Sequence, residues 1–373
     1  MRDSVLKPGR SDSSATGAMP FQGVMEGNGS YNQNATIQAG AAALATPLLE
    51  KALQEIAIKD GDDPVVIADY GSSQGKNSLG PMRLATEKLR ERLGHDRPLL
   101  IYHIDQASND FNSLFGVLSS DPDRYMLGMI NLFPCAIGRS FYEQVLPPET
   151  VHLGWSCYAA QWLRSVPSRI ADHFWSPRST GAERKAFEGE AAEDWELFLA
   201  LRASEMRPGA RLVVVLPSLP QDGHPGITHL MDDANDVLKE MVAKGAITAE
   251  EKARMVLGSH LRSRDELIAP FAKGEPFHGL HLEECIECTL TDSAWSQYLQ
   301  DGDEGALAKR RALLFRSIFL PSLSSALDRV RVGDIEAQHV FVHQLQDGLV
   351  NRHASHPAPA DALVSMVLLA KHE

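Results

Sequence analysis

Cysteine is scarce in this chain. Four residues, Cys135, Cys157, Cys285 and Cys288, occur in 373, too few for a disulfide scaffold, so reduced thiols are expected. Long apolar runs are also lacking: no stretch approaches the about 20 residues needed to span a bilayer. The opening segment, MRDSVLKPGRSDSSATGA, has no apolar core of the kind a secretory signal requires. A cytoplasmic protein is the resulting expectation. Positive charge is in deficit, with 36 Lys and Arg against 49 Asp and Glu and a formal charge of −13. Such a surface repels phosphate backbones and anionic lipid heads, which argues against nucleic acid and membrane surfaces as partners. No repeat of fixed period is visible. The chain has no Gly-Lys-Ser/Thr phosphate loop and no G-x-G-x-x-G fingerprint, which removes the sequence signals of a P-loop or dinucleotide site.

What remains is an ordinary globular composition, 43% hydrophobic and 23% charged, in a chain long enough for one core with an appended layer. Residues 1–18, rich in Ser, Gly and charge, read as a disordered leader. From Ala39 the spacing in AALATPLLEKALQEIA predicts a helix. PVVIADYGSSQGKN then reads as a buried strand and tight turn, MRLATEKLRERLG as a helix closed by Gly94, and RPLLIYHIDQ as a second buried strand. Further buried runs occur at YMLGMINLF, TVHLGW, ARLVVVLPSL and ALVSMVLLAKH, with the helical stretch EDWELFLALRASEM before Pro208-Gly209. This alternation predicts an α/β fold with a mostly parallel sheet. Two helical runs without intervening strands, Gly226 to Arg254 and Glu304 to Arg331, predict a cap over the carboxyl edge of the sheet. The expected division is a core of residues 19–216, 259–291 and 335–373, with a cap of 217–258 and 292–334.

The segment Val65 to Asn77 carries the most chemical information. A carboxylate at the strand end, Asp69, precedes Gly-x-x-x-Gly, which lets a backbone approach a ligand closely. The second strand ends in Asp105, placed as such acids are to accept hydrogen bonds from ribose hydroxyls. For either acid alone a turn cap or a solvated loop position is the commoner role. The two together, each at a strand end, favour a ribose-bearing ligand without a pyrophosphate, and S-adenosylmethionine is the commonest such cofactor.

Several segments in order, Met25-Glu26-Gly27 with Ser30-Tyr31-Asn32, IADYGSSQGKN (67–77), Asp105 with NDFNSLF (109–115), GRSFYEQVLPP (138–148), SCYAAQWLRSVP (156–167), FLALRASEMRPGARLVVVL (198–216) and RSIFLPSL (316–323), make the chain similar to a known family. It resembles the SABATH carboxyl methyltransferases that esterify salicylate, benzoate, jasmonate and indole-3-acetate, together with bacterial relatives that methylate fatty acids. The resemblance implies a Rossmann-like class I methyltransferase core with a seven-stranded sheet and a helical cap, S-adenosylmethionine as cofactor with S-adenosylhomocysteine as product, and a homodimer. It implies that Tyr31, Asp69, Gly71, Asn77, Asp105, Gln106, Ser140 and Phe141 hold the cofactor, and that Gln38 and Trp162 position the acceptor carboxylate. It further implies an acceptor pocket lined by Tyr158, Gln161, Leu230, Met231, His260, Phe315 and Ile318.

The chemistry follows from the functional group. A carboxylic acid is already ionised at neutral pH, so its methylation needs no general base. Orientation for in-line displacement is then the main requirement. An amide N–H and an indole N–H, as neutral donors, hold a carboxylate without neutralising it. The expected wall of Met, Leu, Phe and Ile is apolar and deformable, and Glu26 stands where several aryl-acid enzymes of the family carry Lys. An inward-pointing acid there would repel an anionic acceptor, so the expected substrate is a medium-chain fatty acid. Other readings are an aryl or indole-3-acetic acid carboxyl methyltransferase, an N-methyltransferase of a ring nitrogen, and a catalytically idle module that binds S-adenosylmethionine or a small acid. Cys285-Ile-Glu-Cys288 with His278 and His281 resembles a zinc set only weakly. On a strand, residues three apart face opposite sides, so no metal is expected.

Overall fold

The computed structural model describes residues 22–61, 63–272 and 274–372; the leader expected over 1–18 lies outside them. The chain opens with α1 (Ser30–Asn34), α2 (Thr36–Leu44) and α3 (Thr46–Glu55), then β1 (Val65–Tyr70), α4 (Leu79–Leu93), β2 (Leu99–Asp105), α5 (Phe111–Ser120), β3 (Leu132–Gly138) and β4 (Val151–Cys157). It continues through α6 (Gly181–Glu205), β5 (Met206–Pro217), α7 (Thr228–Ala243), α8 (Ala249–Arg254), α9 (Arg264–Ile268) and β6 (Leu280–Leu290). The last elements are α10 (Ser293–Asp301), α11 (Glu304–Ser324), α12 (Arg329–Val332), α13 (Ile335–Ser355) and β7 (Ala362–Lys371). Pro47 at the start of α3 divides the single helix expected from Ala39 into two.

The seven strands form one sheet in the order β3-β2-β1-β4-β5-β7-β6. β3, β2, β1, β4 and β5 are parallel, and β7 runs antiparallel to both β5 and β6. The central strands β1 and β4 are buried nearly throughout, as strands covered on both faces must be. Alternate residues feed two cores. Val65, Ile67, Ile101, Trp155 and Val213 pack under α3 and α4, whereas Val66, Ala68, Tyr70, Leu212 and Val214 pack against Trp195, Phe198 and Leu199 of α6. Each Val, Leu, Ile or Phe among them, fully buried, contributes on the order of 1.5–3 kcal/mol. The same alternation sends Cys288 to the first core and Cys285 to the second, so the two thiols face opposite sides of the sheet.

A third core joins Met231, Leu238 and Met241 of α7 to Phe315 and Leu323 of α11 and to Phe341, Leu345 and Leu349 of α13. α13 therefore packs within the helical cap, whereas the sequence division placed residues 335–373 with the sheet. Periodicity identifies an apolar helix face but not the neighbour that covers it. The strand expected at YMLGMINLF also begins later, at Leu132. Gly128 and Asn131 adopt left-handed φ values of 74° and 52°, which turns the chain before the strand starts. β3 contains Pro134 and lies at the sheet edge, where a missing N–H costs no ladder bond. Among the described residues no helix is long and apolar enough to cross a membrane.

The strand order reverses between β1 and β4. The crevice beyond the carboxyl ends of the strands at such a switch point is where open α/β sheets bind ligands.

Candidate active site

Beyond β1 the chain turns sharply at Gly71, whose φ is +88° and whose Cβ, were there one, would lie 2.1 Å from the Cβ of Ala159. Conformation and close approach both demand glycine here. Two residues on, Ser73 adopts a left-handed φ of 47°, and its backbone N–H donates to Asp105 Oδ2 at 2.7 Å. The other carboxylate oxygen, Oδ1, accepts from the N–H of Gln106 at 2.8 Å. A carboxylate has about four acceptor positions, so each oxygen keeps one for a ligand. Burial raises the Asp105 pKa to about 6 against the opposing effect of these two amides.

Asp69 is buried beneath this turn. Its Oδ2 accepts from Ser78 Oγ at 2.6 Å and lies 2.9 Å from Nδ1 of His103, whose Nε2 is 2.8 Å from the Tyr125 hydroxyl. The turn, the start of α4 and β2 are thereby tied to one carboxylate. The side-chain oxygens of Ser72 and Ser73 and Gln74 Oε1 are buried without partners among the described residues. Buried polar atoms left in this state are costly and are normally answered by water or a ligand. Phe141 closes the other side, with a ring carbon 3.7 Å from the position of a Gly71 Cβ. Its ring meets Phe198 edge-on at 5.9 Å. The adjacent Ser140 accepts from the N–H of Tyr142 at 3.2 Å. A strand-end carboxylate with two free acceptor positions, three orphaned polar atoms and an aromatic face suit S-adenosylmethionine.

Residues 22–35 cross over this cradle. Gln106 Nε2 donates to the Gln22 carbonyl at 2.9 Å, Gln74 Nε2 to the Glu26 carbonyl at 2.6 Å, and the Asn32 side chain bonds both the Gln74 carbonyl and the Lys76 N–H. Tyr31, buried in the same segment, faces the Asn77 amide, and burial holds its pKa above the usual value. Asn77 itself donates to the Ala35 carbonyl at 3.4 Å. Glu26 does not point inward as a free acid. It accepts from Ser30 Oγ at 2.6 Å and pairs with Arg316 of α11 at 2.7 Å. The repulsion expected of Glu26 toward an anionic acceptor is therefore absent.

A cavity lies between the sheet edge and the cap. Gln38, Tyr158, Gln161, Trp162, Leu230, Met231, Phe315 and Ile318 all line it. At one end Trp162 clusters with Tyr31, Ala35 and Ile318, and its indole lies 6.3 Å from the ring of Phe319. Gln38 Oε1, Gln161 Oε1 and the Tyr158 hydroxyl are buried there without partners among the described residues. Gln161 Nε2 is engaged by the Tyr158 carbonyl at 2.7 Å. Burial keeps the Tyr158 phenol protonated, with Cys157 and Tyr31 adding to the effect.

His260 departs from expectation. Its neighbours Ser259 and Leu261 line the cavity, while His260 itself borders a smaller one and its Nε2 lies 2.8 Å from Glu266 Oε1. Extended backbone alternates its side chains, so two flanking residues facing inward turn the histidine away. Trp175, Phe319, Arg311, His353 and Leu363 also line the cavity and were not anticipated. For Arg311 a signal existed: it occupies the same helical stripe as Leu307, Ala308, Phe315 and Ile318, a charged residue on an apolar face. No group of three or more His, Cys, Asp or Glu side chains converges as a metal site among the described residues.

The sequence matches the model of a family described as SAM-dependent carboxyl methyltransferase over residues 21–350. A methyltransferase named FUS9 from Gibberella fujikuroi is 33% identical over 231 residues, and the match spans 60% of each chain. The chain thus aligns with about 60% of the length of that fungal protein. The salicylate carboxymethyltransferase of Clarkia breweri is 28% identical over 296 residues, covering 75% of this chain and 78% of the plant protein. Among solved structures, a loganic acid methyltransferase with SAH shares the fold at a TM-score of 0.73 and 23% identity, covering 94% of this chain and 99% of that one. With residues 21–350 matched to the family model, the chain belongs to the SAM-dependent carboxyl methyltransferase family.

Proposed function

We propose that this protein transfers a methyl group from S-adenosylmethionine to the carboxylate of a small hydrophobic acid, giving the methyl ester. One observation carries the reading. The Trp162 end of the cavity is surrounded by neutral hydrogen-bonding groups, Gln38, Gln161, Tyr158 and the indole, and no Asp, Glu or Lys lines the cavity among the described residues. An acceptor that must lose a proton in the reaction needs a base. A carboxylate does not, and neutral donors suffice to hold it.

When bound, S-adenosylmethionine supplies an electrophilic methyl group. Asp105 holds the ribose hydroxyls with its two remaining acceptor positions, Ser140 meets the adenine edge, and Phe141 covers the ring face. Tyr31, Asn77, Gln106 and the turn at Gly71 enclose the rest, with Asp69 fixing the turn from below. Gln38 and Trp162 orient the acceptor carboxylate, an effect that supplies several kcal/mol when the reacting atoms are held in line. The apolar side chains of Leu230, Met231, Phe315 and Ile318 take the body of the acid and exclude water.

Within that class a medium-chain fatty acid suits the deformable wall. The pairing of Glu26 with Arg316 removes the argument against aryl acids, so benzoate and salicylate belong in the same test. The test is incubation with methyl-labelled S-adenosylmethionine and a panel of octanoate, decanoate, benzoate, salicylate, indole-3-acetate and a xanthine, with organic-extractable label as readout. Label in acid esters supports the reading and ranks the pocket. Label in the xanthine alone replaces it with N-methylation, and none at all in a sample that binds the cofactor leaves an idle binding module.

A further inference from the structure

The far end of the same cavity is built differently. Arg311 lines it, is 4% exposed, and is anchored through one terminal nitrogen to Asp292 Oδ2 at 2.7 Å and the Ala358 carbonyl at 2.6 Å. That ion pair answers its charge. Its Nε nevertheless has no partner among the described residues, and neither ring nitrogen of His353, a cavity-lining residue that is 1% exposed, makes a hydrogen bond there, the nearest carboxylate being Asp233 at 3.8 Å from Nε2. Nε2 of His229, close by on α7, is a further unpartnered atom. Burial, together with Arg311 and His229, lowers the His353 pKa to about 4, so at neutral pH its ring offers one N–H and one lone pair.

Native interiors rarely leave several buried polar atoms unanswered at one place, and leaving them so costs far more than an apolar lining. A pocket meant only for an alkyl terminus would place apolar side chains there. The spacing of Arg311 and Ile318 along α11 sets the scale of the separation. Arg311 precedes Ile318, which packs with Trp162, by seven residues, a rise of about 10 Å.

Resting on the carboxyl-methyltransferase reading, we infer that Arg311 and His353 form a second recognition site, and that the acceptor is an acid bearing a second oxygen function, hydroxyl or carboxylate, about 10 Å from the carboxylate that is methylated. The guanidinium Nε–H and the imidazole donate to that oxygen, and the remaining imidazole lone pair accepts from it when it is a hydroxyl. Leu230, Met231 and Phe315 cover the apolar span between the two ends. An unsubstituted fatty acid leaves the distal donors unpaired, a mismatch that polar sites discriminate against more strongly than apolar sites discriminate a methylene.

The experiment compares decanoic acid with its ω-hydroxy derivative and with decanedioic acid. Equilibrium affinity is measured calorimetrically in the presence of S-adenosylhomocysteine, and kcat/KM by ester formation. The wild-type chain should favour an ω-oxygenated acid by about tenfold or more, one paired hydrogen bond being worth roughly that factor, and the better of the two identifies the second group as hydroxyl or carboxylate. His353→Leu should abolish that preference while leaving S-adenosylhomocysteine affinity unchanged. Arg311→Lys keeps a cation for Asp292 but removes the Nε–H, and should lower the preference as well. Equal affinity for the three acids in the wild type, or a preference unaltered in His353→Leu, overturns the inference. Binding preference without ester formation overturns the methyl-transfer reading instead, and leaves the distal site standing.

Discussion

Asp105 and Ser73 meet across the ends of two parallel strands, where the Ser73 N–H donates to Asp105 Oδ2 at 2.7 Å and a left-handed serine is held in place. The carboxylate proposed to hold the cofactor ribose therefore also shapes the turn. Burial raises its pKa to about 6, above the usual carboxylate value of about 4. Below about pH 6 it gains a proton and loses acceptor capacity, so cofactor affinity should be flat above neutrality and fall by up to about tenfold per pH unit in acid. Asp105→Asn should bind more weakly with no such pH dependence, and Asp105→Ala should bind below detection. Titration of S-adenosylhomocysteine by calorimetry between about pH 7.5 and 5 checks this. A wild-type affinity constant across that range would be inconsistent with the assignment.

Trp162→Phe retains an aromatic ring in the cluster with Tyr31 and Ile318 but lacks the indole N–H. A hydrogen bond to a charged group contributes on the order of 1.5–3 kcal/mol, so kcat/KM for the acid should fall by about 10- to 100-fold. Cofactor affinity should not change. Gln38→Leu should act the same way, and turnover equal to wild type in both would dismiss their role in holding the carboxylate.

Gly71→Ala puts a methyl group where Ala159 already lies 2.1 Å away, at a φ of +88°. Strain of this kind costs on the order of 1–3 kcal/mol before the clash is counted. Urea unfolding should show a lower midpoint, and cofactor affinity should fall with it. Full retention of both would mean that the turn has room it does not show.

The parallel strands were legible because burial on both faces leaves unbroken β-branched runs, as at Val65–Tyr70 and Leu99–Asp105. The turn proposed to hold the cofactor was legible as a turn for a related reason: its residues lie in contiguous motifs at strand ends. What escaped was assembled from distant parts of the chain. Arg311, His353 and Leu363 reach one cavity from α11, α13 and β7, and no local pattern relates them. The same limit misplaced α13, whose apolar face is evident but whose partners α7 and α11 are not. His260 failed through register, since a shift of one residue in extended chain exchanges inside for outside. Glu26 failed through a partner 290 positions away, Arg316.

Three histidines shifted downward make the fold's stability sensitive to acid. Burial lowers the pKa of His152, His173 and His353 to about 4 each, aided by Arg207 at the first. Their unfolded-state value is about 6.5. Between those values the unfolded chain binds more protons than the folded one, so stability should decline as pH falls from about 6.5 to 4. Asp105, shifted upward, opposes this over part of the range. The denaturant midpoint measured at successive pH values should fall in acid. His353→Leu should lessen the slope.

The most direct measurement is the chemical fate of the transferred methyl group. After reaction of methyl-labelled S-adenosylmethionine with the preferred acid, the product is treated with mild alkali and the released label assayed as methanol. A methyl ester gives up its label quantitatively under these conditions, and that is the expected result, with the yield of ester reduced in Trp162→Phe. Label that stays attached after alkali, as on a methylated nitrogen, would contradict carboxyl methylation.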